Sequence, residues 1–211
     1  MKRLALLVGV LAIAAGAQAN LLENGSFDTG DGTGWTEWDS GEEWGGPFSY
    51  HYQDFPCEYC DSIYSLFMSC DWGSFGAYQI IDVVPGFEVV LSGYVLAFDY
   101  TANWYELLLF DGVVDGYVID HFTTDDDIMA KWDSWGGYLG YPTAQWEYGE
   151  GSRVATSDKM TVAIKAGGNG VGAEGWYDCL DATQPGVPEP GTMLLLGTAL
   201  LGMAGLTRRI R

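Results

Sequence analysis

The stretch from Ala77 to Tyr100, AYQIIDVVPGFEVVLSGYVLAFDY, decides the fold class of this chain. It contains two runs rich in β-branched and aromatic residues, Ala77–Val84 and Glu88–Tyr100, which predict two strands. Between them, Val84-Pro85-Gly86-Phe87 places proline and glycine where a type II turn prefers them. We therefore expect a hairpin of two central strands here.

Further short β-rich runs lie on both sides of this stretch, and clusters of Gly, Asp, Asn and Pro separate them. Roughly ten short strands, with hardly a helix-length amphipathic segment, predict an all-β antiparallel β-sandwich of the jelly-roll type. We expect glycine- and tryptophan-rich loops at Asp31–Gly46 and Asp125–Tyr141. The other predicted strands are Leu21–Phe27, Trp35–Trp38, Ser62–Ser69, Trp104–Phe110, Tyr117–Phe122, Thr143–Tyr148, Met160–Ala166 and Gly175–Leu180.

The N-terminus has the three parts of a secretory signal. Lys2 and Arg3 precede an uncharged run, Leu4–Ala15, and Ala17-Gln18-Ala19 supplies the small residues that signal peptidase reads. The apolar run is too short for a stable anchor, so residues 1–19 are predicted to be a cleaved signal peptide. Signal peptidase is therefore an expected partner.

The C-terminus carries a second targeting pattern. Pro188-Glu189-Pro190 precedes an uncharged run, Gly191–Thr207, and the chain closes with Arg208, Arg209 and Arg211. A helix of that length rises about 26 Å, which predicts a short transmembrane helix with the arginines on the cytoplasmic side. The three parts resemble the PEP-CTERM sorting signal, a tail also named an ice-binding protein C-terminal domain. The resemblance implies transient anchoring in the inner membrane and recognition by an exosortase, a membrane transpeptidase.

Between the two targeting segments lies enough chain for one domain. We assign residues 20–183 to the β-sandwich, residues 184–190 to a Pro/Gly linker with the PEP motif, and residues 191–207 and 208–211 to the helix and its basic tail. Residues 20–187 hold four bases and 28 acids, a formal charge of −24. Such a surface repels phosphates and anionic lipids, so we expect no nucleic-acid partner.

Four cysteines, Cys57, Cys60, Cys70 and Cys179, lie in the exported part. An even number in an oxidising compartment predicts two disulfides, with three pairings open. Cys57 and Cys60 have the spacing of a redox motif, but a strand-like run follows them instead of the helix that such a motif needs. Zinc is the alternative reading of the four thiols, and the wide spacing of Cys70 and Cys179 from the close pair disfavours it.

The sequence offers no catalytic motif. His51 and His121 lack a second histidine at metal-binding spacing, and no nucleophile elbow, phosphate loop or dinucleotide fingerprint is present. Two acids across a cleft suffice for glycoside hydrolysis, so the many acids alone do not distinguish a hydrolase from a binding protein. We predict a protein without catalytic activity.

Three segments resemble jelly-roll carbohydrate-binding modules, and together they are scattered over most of residues 20–181. The resemblance implies that the domain binds sugar and that it holds a structural calcium ion. The segments are Asn20–Asp28 with Gly34-Trp35, Ala77–Gln79 with Val84-Pro85-Gly86 and Leu91-Ser92-Gly93, and Met160–Lys165 with Gly175–Asp178.

The calcium ligands implied by this resemblance are Asp28 and Asp178, supplemented by Glu23 and backbone carbonyls. Calcium prefers six to eight oxygens, so two carboxylates need such help. Cys179 stands where a second acid is often found in these modules. The alternative is that Asp28 and Asp178 are turn and strand-end residues.

Nine tryptophans are the remaining clue to a ligand. Exposed indole rings stack on the apolar faces of sugars, whereas most tryptophans are packing residues. Trp132 and Trp135 lie in a predicted loop with few aliphatic neighbours, so we expect them to contact polysaccharide. Trp35, Trp38 and Trp44 form a second loop group.

These features predict an exported, exosortase-sorted protein of the cell surface or extracellular matrix that associates with polysaccharide. The rivals are a secreted glycan hydrolase and a structural surface protein without a ligand.

Replacing Pro188-Glu189-Pro190 with three alanines should leave the protein in the inner membrane with its tail uncut, because the recognition motif is lost. Immunoblots of membrane and extracellular fractions measure this. A variant that is processed and released like the wild-type protein would contradict the exosortase assignment.

Overall fold

The computed structural model describes residues 19–41, 48–98, 103–133 and 142–186. The segment Asn20–Gln184 forms one compact unit. Residues 1–18, which are all but the last residue of the predicted signal peptide, lie outside the described residues. The chain from residue 187 onward, which contains the sorting motif and the predicted transmembrane helix, lies outside them as well. In the described part of the chain, no helix is both long enough and apolar enough to cross a bilayer.

Strands are the dominant secondary structure of the described residues, and all the strand pairs are antiparallel. This confirms the predicted all-β, jelly-roll class. One short helix, α1 (Gly116–His121), and a 3-10 turn (Asp125–Asp127) interrupt the strands. The strands are β1 Thr36–Asp39, β2 Phe48–Gln53, β3 Ser65–Asp82, β4 Glu88–Ala97, β5 Asn103–Asp111, β6 Ile128–Asp133, β7 Trp146–Val154 and β8 Lys159–Thr183.

The longest strands, β3 with 18 residues and β8 with 25, form the backbone of the fold. They pair with each other from Leu66↔Tyr177 to Asp82↔Lys159, with a register shift between Cys70 and Trp72. A strand of this length far exceeds the usual five or six residues, and such an irregularity lets it bend. The two halves of the ladder therefore serve two different layers.

The first layer consists of β1, the second half of β3, the first half of β8, β5 and β6, in that order. The second layer consists of β2, the first half of β3, the second half of β8, β4 and β7. On β8, residues 160–168 pair with β5, and residues 175–183 pair with β4. The bend in β3 and β8 is hereafter called the corner.

One continuous apolar core joins the two layers, and its largest fully buried side chains include Trp132, Tyr105 and Tyr177. Burying an aromatic side chain of this kind stabilises the fold by about 1.5–3 kcal/mol. The close approach of β7 to β6 depends on small residues. A Cβ at Gly149 of β7 would lie 2.5 Å from both Ala130 and Trp132 of β6. The absent side chain leaves room for the indole.

A second, smaller apolar cluster lies on the outer face of the first layer, beneath α1. It contains Trp38, Leu108, Phe110, Ile119 and Ala163. Asp115 caps α1 by accepting a hydrogen bond from the Val118 N–H at 3.1 Å. The helix thereby covers one end of this face and leaves the other end open.

The predicted hairpin at Pro85-Gly86 is wrong, although the turn itself is present. The Phe87 N–H donates to the Val84 carbonyl, and Gly86 has φ +86° as a type II turn requires. However, β3 and β4 each pair with β8 and not with each other. The turn therefore carries the chain from the first layer to the second. Two hydrogen bonds hold Val84 in place: its N–H donates to the Gln184 side-chain oxygen, and its carbonyl accepts from the Gln184 side-chain amide.

Several other element predictions need correction. Tyr117–Phe122 is mostly helical, because the Asp115 cap overrides the β propensity of its residues. Leu21–Phe27 forms turns, and Asp125–Tyr141 contains strand β6. The predicted strands Ser62–Ser69 and Ala77–Val84 belong to one strand, β3. Likewise, Met160–Ala166 and Gly175–Leu180 both belong to β8.

Candidate functional site

A cleft of about 330 Å³ opens on the outer face of the first layer, beside α1 and next to the corner. Its floor comes from a cross-strand row in which Ser74, Gly167 and Trp104 are register partners on β3, β8 and β5. Its lining residues are Ser40, Trp72, Gly73, Ser74, Trp104, Asp120, His121, Gly168 and Asn169.

Two tryptophans contribute the apolar surface of the cleft. Trp72 follows the register shift at the corner and is 49% exposed. The ring of Trp104 lies across Gly167, where an added Cβ would come within 2.1 Å of the indole. Glycine at this position therefore allows the ring to lie flat on the sheet.

The opposite wall is polar. The Ser74 hydroxyl donates to the Asp120 carboxylate, and His121 Nδ1 lies 3.4 Å from the same carboxylate. The Ser74 N–H donates to the Ser40 hydroxyl at 3.3 Å. These contacts hold hydroxyl, carboxylate and imidazole groups in fixed positions beside the two rings.

A charged row runs under the helix next to the cleft, where Lys165, Glu106 and Lys131 are register partners on β8, β5 and β6. Lys131 forms an ion pair with Glu106 at 3.0 Å. Lys165 donates to the Ile119 and Asp120 carbonyls at 3.1 and 3.2 Å, which ties the end of α1 to the sheet. Burial lowers the pKa of Lys165, and the nearby Glu106 and Asp120 partly oppose this shift.

The arrangement offers groups that can bind a saccharide. Indole rings stack on the apolar faces of sugars, while hydroxyl, amide and carboxylate groups pair with sugar hydroxyls. Hydrolysis of a glycosidic bond needs two carboxyl groups that face each other across a cleft. Among the described residues that line this cleft, Asp120 is the only acid.

Trp132, which we predicted to contact polysaccharide, does not lie on this surface. Trp132 is 1% exposed and belongs to the core between the layers, so its ring cannot stack on a ligand. Trp135 and Trp44 lie outside the described residues. Trp35 and Trp38 are buried.

Trp104 was missed because it opens the predicted strand Trp104–Phe110, where a tryptophan is expected to be a packing residue. Trp72 was missed because it lies between the predicted strands Ser62–Ser69 and Ala77–Val84 and in neither predicted tryptophan-rich loop. The usable signal was Asp71-Trp72-Gly73, where a charge and a glycine interrupt the run of strand residues. Glycine within a strand often marks a bulge or a close approach. That pattern indicates a bend beside an aromatic residue.

The structure brings two of the three predicted calcium ligands into one neighbourhood. Burial raises the pKa of Asp178, and Asp28 raises it further through charge repulsion. Glu23 is held differently, since its backbone N–H and carbonyl both bond to the Gln79 side chain, at 2.7 and 3.0 Å.

The side chains of these acids do not fit a calcium ion. Asp178 accepts hydrogen bonds from the Cys57 N–H at 2.8 Å, the Ser62 hydroxyl at 2.5 Å and the Cys179 N–H at 2.6 Å. Asp28 accepts from the Ile63 N–H at 2.6 Å and the Ser26 hydroxyl at 2.8 Å. Each of these donors takes up one lone-pair direction of a carboxylate, whereas calcium needs six to eight oxygens with a lone pair directed at the ion. Both acids instead fasten the 55–64 loop to the start and end of the domain.

The cysteines also differ from the prediction of two disulfides. Cys60 and Cys179 form one bridge, which spans 119 residues. Cys57 and Cys70 are free and buried thiols. The Cys57 sulfur lies within 4.8 Å of both bridged sulfurs, and in the described residues these three cysteines are the only group with metal-ligand proximity. Burial raises the pKa of Cys70 to about 11, which disfavours the thiolate form of this side chain.

Solved structures similar to this domain include several carbohydrate-binding modules. A family 61 module, TmCBM61 in complex with β-1,4-galactotriose, matches with a TM-score of 0.53 and 12% identity, over 79% of this chain and 99% of that chain. The C-terminal family 22 module of Clostridium thermocellum Xyn10B matches with a TM-score of 0.51 and 17% identity, over 81% and 98%. The fold is therefore that of a jelly-roll carbohydrate-binding module.

The enzymatically active domain of Bacteriophage CBA120 tailspike protein 4 is also similar, with a TM-score of 0.54 and 11% identity over 78% of this chain. The match spans only 21% of the tailspike chain. No curated protein matches this sequence.

Residues 186–209 match the PEP-CTERM protein-sorting motif. This match contains the predicted motif Pro188-Glu189-Pro190, the apolar segment and Arg208-Arg209. The chain is thus an exported protein that carries a PEP-CTERM sorting signal behind a domain with the carbohydrate-binding-module fold.

Alkylation without reductant should label two thiols per exported protein once it is denatured, and few or none in the native state, because Cys57 and Cys70 are buried. Mass spectrometry of the intact protein counts the labels, and analysis of its peptides locates them. A fully reduced sample, in which all four cysteines should be labelled, is the control. No label in denaturant would mean a second disulfide, and four would mean that Cys60–Cys179 does not form.

Proposed function

We propose that this protein is a non-catalytic polysaccharide-binding protein of the cell surface or extracellular matrix, delivered there by exosortase processing of its tail. The observation that carries the proposal is the cleft beside the corner, where Trp72 and Trp104 lie next to a fixed polar wall. The fold and the sorting motif agree with it.

The cleft has the chemistry of a sugar site. Two indole rings offer apolar surface for the faces of a saccharide chain, and the Asp120 carboxylate and Asn169 amide offer hydrogen-bond partners for its hydroxyls.

Charge restricts the ligand. The formal charge of −24 on residues 20–187 repels sulfated, phosphorylated and uronic-acid polymers. A neutral polysaccharide avoids this repulsion. The neighbours of the same fold include a module bound to β-1,4-galactotriose and a domain described as xylan-binding, so galactan and xylan oligosaccharides are the first probes.

Sorting completes the proposal. The PEP-CTERM tail would hold the folded domain at the inner membrane until exosortase removes it. The released domain carries the stabilising Cys60–Cys179 bridge, which suits an oxidising exterior. Anchoring and release thereby place a polysaccharide-binding surface outside the cell.

Substituting Trp72 with alanine should weaken binding of a neutral oligosaccharide about tenfold or more, because an exposed stacking surface is lost without change to the core. A glycan array with galactan and xylan fragments, followed by titration calorimetry, measures the effect. Phe87→Ala is the matched control, since this exposed ring lies on the Pro85-Gly86 turn away from the cleft.

A reducing-sugar assay on the same glycans tests catalysis. Release of reducing ends that depends on Asp120 would establish the rival hydrolase, and no binding to any neutral glycan would favour a purely structural role. Equal binding by the wild-type protein and the Trp72→Ala variant would remove the cleft from the proposal.

A further inference from the structure

A second aromatic surface lies on the other side of the molecule, on the outer face of the second layer. We call it the aromatic face. It consists of rings from β3, β4, β7, β8 and the 55–64 loop, namely Phe55, Tyr59, Phe67, Tyr94, Trp146, Tyr148 and Trp176.

Three tyrosines form a line at one side of this face, hereafter the tyrosine row. Tyr94 of β4 and Tyr148 of β7 are register partners, with ring centroids 5.3 Å apart. Tyr59 of the loop stacks on Tyr94 at 5.4 Å. The rings of Tyr59 and Tyr148 are 58% and 50% exposed, so the row presents its ends to solvent.

The remaining rings form a parallel line centred on Trp176. Phe67 lies 4.6 Å and Phe55 5.4 Å from the Trp176 ring, and Phe55 also stacks with Trp146 at 6.3 Å. The Trp176 Nε1–H donates to Gln53 Oε1 at 3.0 Å. Packing on both sides keeps these rings in place and limits the entropy lost when a ligand binds.

Charge distinguishes the tyrosine row from the cleft. The Tyr148 hydroxyl donates to Glu150 at 2.5 Å, and hydrogen bonding to Glu58 raises the pKa of Tyr59. Ser92 of β4 is the register partner of both Asp181 on β8 and Glu150 on β7. Ser92 and Glu150 lie two positions along their strands from the paired Tyr94 and Tyr148. The carboxylates thus border the rings.

No lysine or arginine of the domain balances these acids on this face. Each of the four bases has its partner elsewhere: Lys131 with Glu106, Arg153 with Asp127, Lys159 with Asp82, and Lys165 with carbonyls of α1. His51 stacks on Phe67 on the β2 side of the second line of rings. The tyrosine row is therefore aromatic and bordered by negative charge.

We propose that the tyrosine row binds a cationic polysaccharide, a β-linked polymer of unacetylated amino sugars, at a site separate from the cleft. The tyrosine faces attract ammonium groups and stack on the apolar faces of the sugar rings. Glu58, Glu150 and Asp181 complement the charge of the polymer. A neutral glycan gains nothing from these carboxylates, and an anionic one is repelled.

The consequence is a protein with two glycan-binding surfaces on opposite layers. The cleft takes a neutral chain, whereas the tyrosine row takes an amino-sugar chain, so one molecule can link two polymers. This second site does not rest on the function proposed for the cleft, because it uses different residues, a different layer and a different ligand charge.

The test titrates the purified exported protein with a glucosamine hexamer in mildly acidic buffer, where the amines are protonated. The double variant Tyr59→Ala/Tyr148→Ala should weaken binding about tenfold or more, since two exposed cation–π and stacking partners are lost. Phe87→Ala, an exposed ring on neither surface, should stay within about twofold of the wild-type protein. Melting temperatures of all variants verify that they are folded.

The wild-type protein should also prefer the glucosamine hexamer over its N-acetylated counterpart by about tenfold, and this preference should shrink at high salt. Equal affinity for the two hexamers would overturn the proposal. Undiminished binding by the tyrosine double variant would overturn it too. If a lysine hexamer bound as tightly as the glucosamine hexamer, the face would be a general site for cationic peptides and the proposal would be wrong.

Discussion

Pairing between β3 and β8 is the interaction on which the rest of the structure depends. These two strands form one antiparallel ladder that bends at the corner and supplies the centre of both layers. Every other strand joins the fold as a partner of β3 or β8, or as a partner of such a strand. Since both strands continue through the corner, the two layers are joined by backbone hydrogen bonds as well as by the apolar core between them.

The corner also explains where the two aromatic surfaces lie. At the bend the register shifts between Cys70 and Trp72, which turns Trp72 outward, and the glycine-rich stretch of β8 leaves room for Trp104. The same bend directs Trp176 of β8 to the outer face of the second layer, within the aromatic face. One distortion of a shared ladder thus gives the domain two aromatic surfaces that face in opposite directions.

Local sequence predicted the fold class and the sorting motif, because β propensity, turn residues and the tail pattern are short-range signals. It did not predict that Pro85-Gly86 connects layers, since strand pairing is decided by a partner some 80 to 100 residues away. Trp132 was misjudged for a related reason: the residue that buries it, Gly149, belongs to another strand. Asp28 and Asp178 were predicted as calcium ligands, but their carboxylates accept hydrogen bonds from Ile63, Cys57 and Ser62, which are 35 to 121 residues away along the chain.

We propose that the cleft at the corner binds a neutral saccharide chain, and the indole N–H signals of the tryptophans report on this binding. In a two-dimensional NMR titration with the neutral oligosaccharide that binds best, the Trp72 and Trp104 signals should shift, whereas those of the buried Trp35 and Trp132 should not. Single tryptophan variants assign the signals. Shifts confined to Trp146 and Trp176, on the opposite layer, would contradict the account.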